Sequence, residues 1–235
     1  MPVINDQTTG LDIPRLEGLA GLNVCRPSNL RIKNLLPEIL ADINDTTLLE
    51  PAKSYEVVAV RKIAPGKITL DSGVTLDAPL LAHRMARASQ ILFGVATIGG
   101  AMAEAVRRCF RDGRTVKAIL MEEVANAALF ETANGLHSLA EEQASLMGLS
   151  TSGPLSPGDH DGFGLDQQAS VLALAGADNL GITMTQTGQM YPIHSASVVI
   201  GLGKNMRKWT RIDDCRTCRS RDKCGHYRRA TETAT

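Results

Sequence analysis

The chain has 235 residues, of which 43% are hydrophobic and 21% charged, enough apolar surface to bury a core in one large or two small domains. Lys and Arg together number 25, as do Asp and Glu, so no global field recruits a polyanion, and 3% aromatic residues supply no stacking platform for single-stranded nucleic acid. No run reaches the ~20 apolar residues of a membrane span, and MPVINDQTTGLDIP lacks the basic-then-apolar order of an export signal. A cytoplasmic protein with reduced cysteines is expected, with nucleic acid and membrane excluded as partners.

In chain order, Pro37 stands where a helix can begin, with Ile39, Leu40 and Ile43 behind it at helical spacing. YEVVAVRKI, 55–63, is β-branched and partly alternating, which predicts a strand. Pro65-Gly66 and Asp71-Ser72-Gly73 then turn the chain between short strands at 68–70 and 74–76. A helix is predicted over 80–88 with Arg84 and Arg87 on its polar side. QILFGVAT, 90–97, has the unbroken apolar character of a buried strand. Ile98-Gly99-Gly100 leads from it into a helix over 101–111 that turns Met102, Ala105, Val106 and Cys109 or Phe110 inward. Glycines between strand and helix permit anion binding, but without a GxGxxG or Walker pattern a tight turn is the better reading. The longest helical pattern runs from Thr115 to Leu146, with Asn134-Gly135 as a place to divide it; Glu122, Glu123 and Glu131 read as its solvated face. A Ser-, Gly- and Pro-rich loop follows Gly148. A helix is then predicted over 166–174 and strands over 182–185 and 197–202. This mixed order, without repeated βαβ units, indicates an α+β fold.

Two features carry chemistry. Cys215, Cys218 and Cys224 form C-x2-C-x5-C within a segment, 204–229, that holds ten basic and three acidic residues and so carries about +7. Thiolates at that spacing can grip one metal centre. Zinc would need a fourth ligand, for which His226 is at hand. An iron-sulfur cluster could use three local cysteines plus Cys25, Cys109 or a non-protein ligand, and neighbouring cations would raise its potential. Redox thiols are a third reading. The second feature is the loop Ser156-Pro157-Gly158-Asp159-His160-Asp161, flexible by composition, with a histidine between two aspartates. No acid–base pair, nucleophile–histidine dyad or phosphate loop stands out, so no turnover of a small molecule is inferred.

That loop opens an ordered series: SPG, then LDQQASVLAL, then LGITMTQTGQMYPIHSASVVIGLG, preceded upstream by FGVATIGGAMAEAVRRCFRDG and ILMEEVANAALFETANGL. The series resembles the activation (reactivation) domain of cobalamin-dependent methionine synthase, and more closely the short stand-alone members of that family. It covers about residues 50–203, with the N-terminal part included. The resemblance implies a single mixed domain over 1–203, a twisted, largely antiparallel sheet flanked by helices, followed by a basic cysteine tail over 204–235. In that family the domain caps a corrinoid, binds S-adenosylmethionine and supports reductive methylation of the cobalt. The implied function here is an accessory role in one-carbon metabolism: reductive activation of a corrinoid protein or corrinoid methyltransferase, with the tail relaying an electron through an iron-sulfur cluster. The implied partner-facing or ligand-facing residues are Ser156, Pro157, Gly158, Asp159 and His160, with Met190, Tyr191, Pro192, His194 and Ser195. The family's Arg-x3-Gly-Tyr motif is altered: with Gly158 aligned, Pro154 takes the place of the arginine and Asp159 that of the tyrosine. The cation that would pair with the carboxylate of S-adenosylmethionine is therefore missing. Two alternatives stay open: a non-catalytic binding module with a zinc-stabilised basic tail, and a stand-alone S-adenosylmethionine-binding protein.

Overall fold

A computed structural model of the chain describes residues 3–5, 30–45, 47–159 and 162–209. Its centre is a seven-stranded sheet in which every named pairing is antiparallel. The strands are β1 (Val3–Asn5), β2 (Ala52–Ala64), β3 (Lys67–Leu70), β4 (Thr75–Asp77), β5 (Ala88–Thr97), β6 (Ser150–Thr151) and β9 (Ser195–Gly203). Their order is β4-β3-β2-β5-β9-β6, with β1 paired to the start of β2. A separate two-stranded ribbon joins β7 (Thr183–Met184) to β8 (Met190–Tyr191). The fold is α+β, as the mixed order of elements predicts.

The middle pair, β5 and β9, is buried on both faces. Ile91, Phe93, Val95 and Val199 pack with Phe163, with Leu81 and with Val171, Leu172 and Ala175. Those side chains come from helices α2 (Pro79–Arg84) and α5 (Gln168–Ala175) and from the loop before α5. On the other face Leu92, Ala96, Val198, Ile200 and Leu202 meet Leu136, Ala140 and Ala144 of α4 (Thr115–Leu146). Double burial explains why QILFGVAT shows no polar alternation. The N-terminal half of α4 packs against α3 (Ala101–Arg111) and α1 (Leu30–Asp45). No helix among the described residues is long and apolar enough to cross a membrane.

Several expected boundaries move, each for a physical reason. Helix α1 begins at Leu30, and Pro37 lies inside it; burial of Leu36, Ile39 and Leu40 offsets the backbone bond that proline removes. Asn134-Gly135 does not divide α4. Gly135 is where the buried Lys53 side chain comes in from β2, and a Cβ there would strike its Nζ. The helix expected over 80–88 spans 79–84, and Ala88 already pairs with Gly203. The strand expected over 182–185 belongs to the ribbon and not to the sheet. Cys109 turns inward, with its Sγ 3.7 Å from Met121 Sδ, while Phe110 stays exposed. Beyond β9 the core continues through Met206 and Trp209.

Lys117 ties α4 to α1. Its side chain is 8% exposed, with Nζ 2.6 Å from Glu38 Oε1 and 2.8 Å from Asp42 Oδ2. Burial disfavours its charge, but the Asp42 and Glu38 carboxylates outweigh that and hold it above the usual lysine range. A raised folded value means that the pair stabilises fully below the ordinary 10.5 and loses its effect as pH rises through the folded value. Both carboxylates are about half exposed, so Lys117→Met is expected to cost roughly 1–2 kcal/mol at neutral pH. Urea unfolding checks this, and the gap to the unsubstituted protein should close in strongly alkaline buffer.

Candidate functional site

The two segments that the sequence singles out converge on the first residues of β9. Ser156 Oγ donates to the Ser197 carbonyl at 2.8 Å, and Leu155 exchanges two backbone bonds with Val199 at 3.0 and 2.8 Å. The described part of this loop is therefore pinned, contrary to the flexibility its composition suggests. Gly158 N donates to the Phe163 carbonyl at 2.8 Å, and Phe163 is fully buried. Pro157 is buried, while Gly158, in the left-handed region at φ 87°, and Asp159 are exposed. His160 and Asp161 lie outside the described residues.

From the opposite side comes the ribbon. Buried Gln168, at the start of α5, donates to Ser197 Oγ at 3.1 Å and lies 3.4 Å from Met190 Sδ. Leu165 fills the space between loop and ribbon: a Cβ at Gly158 would meet it at 2.9 Å and one at Gly188 at 3.5 Å. Gln168, Ser197 and Leu165 are absent from the residues picked out by sequence. The available signal was a glutamine at an inward position of an otherwise apolar helix.

After the ribbon, the cis Tyr191–Pro192 bond leads into His194 and Ser195. Ser195 Oγ is 2.7 Å from the Pro192 carbonyl and 3.0 Å from Thr97 Oγ1. The His194 carbonyl accepts from Ile98 N and from Thr97 Oγ1, each at 3.2 Å. The His194 ring is buried, with Nε2 3.0 Å from Glu122 Oε1, and its Nδ1 has no hydrogen-bond partner among the described residues. Glu122 thus serves the site from a position that reads as solvated face; it is 38% exposed yet takes the imidazole. Tyr191 is half exposed. Its hydroxyl engages Arg107, which the Glu104 carboxylate first, and Tyr191 second, hold above the usual arginine range. Glu104 Oε2 accepts from Arg107 Nε at 3.0 Å and Nη2 at 2.8 Å, and this lowers its own value. At the glycine turn before α3, a Cβ on Gly99 would meet Glu50 Oε2 at 3.0 Å, so the anion beside that turn is the chain's own.

What results is a rigid frame with exposed apolar side chains around it. A hydrogen-bonded frame fixes two loops, an imidazole–carboxylate pair sits beneath one of them, and Leu165, Met184, Tyr191 and Ile193 leave large apolar groups in solvent around them. Among the described residues no group of three or more His, Cys, Asp or Glu is placed to hold a metal ion. Cys215, Cys218 and Cys224, with Cys25 and His226, lie outside the described residues.

No protein-family model matches the chain, and no curated protein matches it in sequence. A solved structure does match: the MetH reactivation domain, crystallised with bound AdoHcy, aligns with a TM-score of 0.58 over 93% of this chain and 74% of its own, at 13% identity. The chain has the fold of the MetH reactivation domain. The identity is low enough that fold alone follows. The architecture implied by the sequence resemblance is thereby found, with the ribbon, the pinned loop and β9 as its meeting point.

The frame makes a measurable contribution. Gln168→Leu keeps the volume but removes both polar partners of Ser197 Oγ, and is expected to cost about 1–2 kcal/mol in urea unfolding. Ser197→Ala on the Gln168→Leu background should add little, because the two act as one unit.

Proposed function

We propose that this protein supports the reductive activation of a corrinoid protein in one-carbon metabolism. Its loop 156–160 and segment 190–195 would face the partner, and its tail would relay one electron. The observation that carries this reading is a fold shared with the MetH reactivation domain over 93% of the chain, with the motif-bearing loops gathered on one strand. The exposed apolar side chains beside those loops suit docking of a partner. What supports the relay is the spacing of Cys215, Cys218 and Cys224 in a segment of about +7. An iron-sulfur cluster held there would supply one electron to return cobalt(II) to cobalt(I), after being reduced itself by an external low-potential donor. The folded domain's own part is to present Tyr191 and Leu165 to the partner while Arg107 and Gln168 hold the ribbon in place.

Anaerobically purified protein is expected to contain iron and acid-labile sulfide, with visible absorption and an EPR signal on reduction. Cys215→Ser, Cys218→Ser and Cys224→Ser should each diminish them. Stoichiometric zinc with no sulfide would replace the relay with a binding module whose basic tail is zinc-stabilised. Leu165→Asp should slow recovery of cobalt(I) in a corrinoid partner while leaving iron and sulfide content unchanged.

The AdoHcy bound by the MetH reactivation domain favours a second reading, in which this chain also binds S-adenosylmethionine. Pro154 is exposed and carries no cation for the ligand's carboxylate, and Asp159 adds a like charge. Calorimetric titration with S-adenosylmethionine is accordingly expected to show no saturable heat in the micromolar range. Saturation there would establish the second reading.

A further inference from the structure

The side of α4 turned away from its buried residues carries one sign of charge. Ile119, Glu123, Asn126, Asn134, Ser138 and Glu141 are all exposed, at spacings of three, four and eight residues that keep them on one side of the helix. Over its 32 residues α4 has five glutamates, no arginine and a single lysine. That lysine, Lys117, is buried and held by Glu38 and Asp42, so it lends this face no charge. Among the described residues Glu123 and Glu142 enter no ion pair.

A cation does reach one end of the face. Lys208 Nζ lies 2.7 Å from Glu141 Oε1. The next residue, Trp209, is anchored: a Cβ at Gly153 would collide with its carbonyl and indole, its Nε1 lies 3.4 Å from the Pro154 carbonyl, and the Arg84 guanidinium stacks 4.7 Å from its ring centroid. The chain thus sets out for residue 210 from a fixed point beside the last turns of α4.

The segment that follows has the matching charge. Residues 210–229 contain seven basic and three acidic side chains, a net of about +4. Residues 6–29 contain two basic and three acidic side chains and bring no complementary charge. A second copy of the chain, meeting this face by two-fold symmetry, would set glutamate against glutamate. Length fits as well. From Glu141 back to Glu123 the helix rises roughly 27 Å, and further acids lie only in that direction, because α4 stops at Leu146. Cys215 and Cys218 follow Lys208 by seven and ten residues, roughly 23 and 33 Å of extended chain.

We propose that the basic segment 210–229 docks along this face of α4 in its own chain, running from Glu141 toward Glu123 with its cations on the glutamates. Docking there brings Cys215 and Cys218 to the end of α4 where Glu122 holds His194, next to the segment 190–195. The docking stands on charge and reach; only its use, delivery of an electron at that segment, rests on the proposed function.

The test treats anaerobically purified full-length protein with a water-soluble carbodiimide, which joins an ammonium to a carboxylate in contact, and maps the products by mass spectrometry. Lys223, the only lysine after Lys208, is expected to be joined to a glutamate of α4 in the monomer fraction. Trypsin reads the same contact. Cleavage after Arg216, Arg219 and Arg221 should accelerate about three- to tenfold when Glu123→Gln and Glu142→Gln are combined, the effect of losing two exposed ion pairs. The parent in about 0.5 M salt should behave likewise. Both glutamates are exposed, so the urea midpoint should stay that of the parent. Glu123→Asp with Glu142→Asp, which keeps both charges, should be cut as slowly as the parent, and so should Asp178→Asn, an exposed carboxylate in the turn after α5. Absence of any link from Lys223 to α4 overturns the proposal, as does equal cleavage of the parent and the Gln pair. A link confined to a dimer fraction overturns docking within one chain. Iron and sulfide content, which decides the relay, should be the same in the parent and the Gln pair, so failure of either reading shows separately.

Discussion

Burial of one antiparallel pair from both sides governs this molecule. Antiparallel sheets commonly leave one face in water, but β5 and β9 have α4 on one face and α2, α5 and the loop before α5 on the other. Phe93, Ile91 and Val199 on one face and Leu92, Ile200 and Leu202 on the other are all fully buried, each side chain contributing on the order of 1.5–3 kcal/mol relative to exposure. A strand gripped in this way cannot slip in register without sending every side chain to the wrong layer. Its N-terminal end therefore becomes a fixed mount for the loops gathered there.

At the N-terminal mount the polar groups are spent on holding backbone. Ser197, Gln168, Ser195 and Thr97 bind one another or nearby carbonyls, which leaves them little capacity to act on a substrate. The buried imidazole of His194, held by Glu122 from the N-terminal part of α4, has one ring nitrogen still without a partner among the described residues. Such an arrangement fixes the shape and polarity of the surface around the Met190–Ser195 segment.

Much of this could be read from the residues alone, and the pattern of what could not is informative. QILFGVAT and SASVVIGLG are strands because apolar runs bounded by glycine turns have no other way to be buried at that length. The 32-residue helix is equally plain in its spacing. Gly135 misleads because its reason is a lysine arriving from residue 53, and no local rule sees that contact. Glu122 misleads in the same way: a carboxylate on a helix reads as solvated until β9 delivers His194 to it. Pro37 reads as a helix start because the packing of Leu36, Ile39 and Leu40 against other helices is not visible to any local rule. The loop and the Met190–Ser195 segment are recognisable as motifs, but the glutamine and serine that join them are ordinary polar residues until the sheet sets them side by side.

The accommodation of Trp209 against Gly153 binds two distant positions to a common fate. Any side chain at 153 needs the volume that the indole and its carbonyl already fill, while a smaller residue at 209 would leave that volume empty and remove both the donor to the Pro154 carbonyl and the ring beneath Arg84. Drift at either position is therefore tolerated only in step with the other, which makes the glycine–tryptophan pair a joint marker by which divergent relatives with the same rear architecture can be told from those that have merely the sheet.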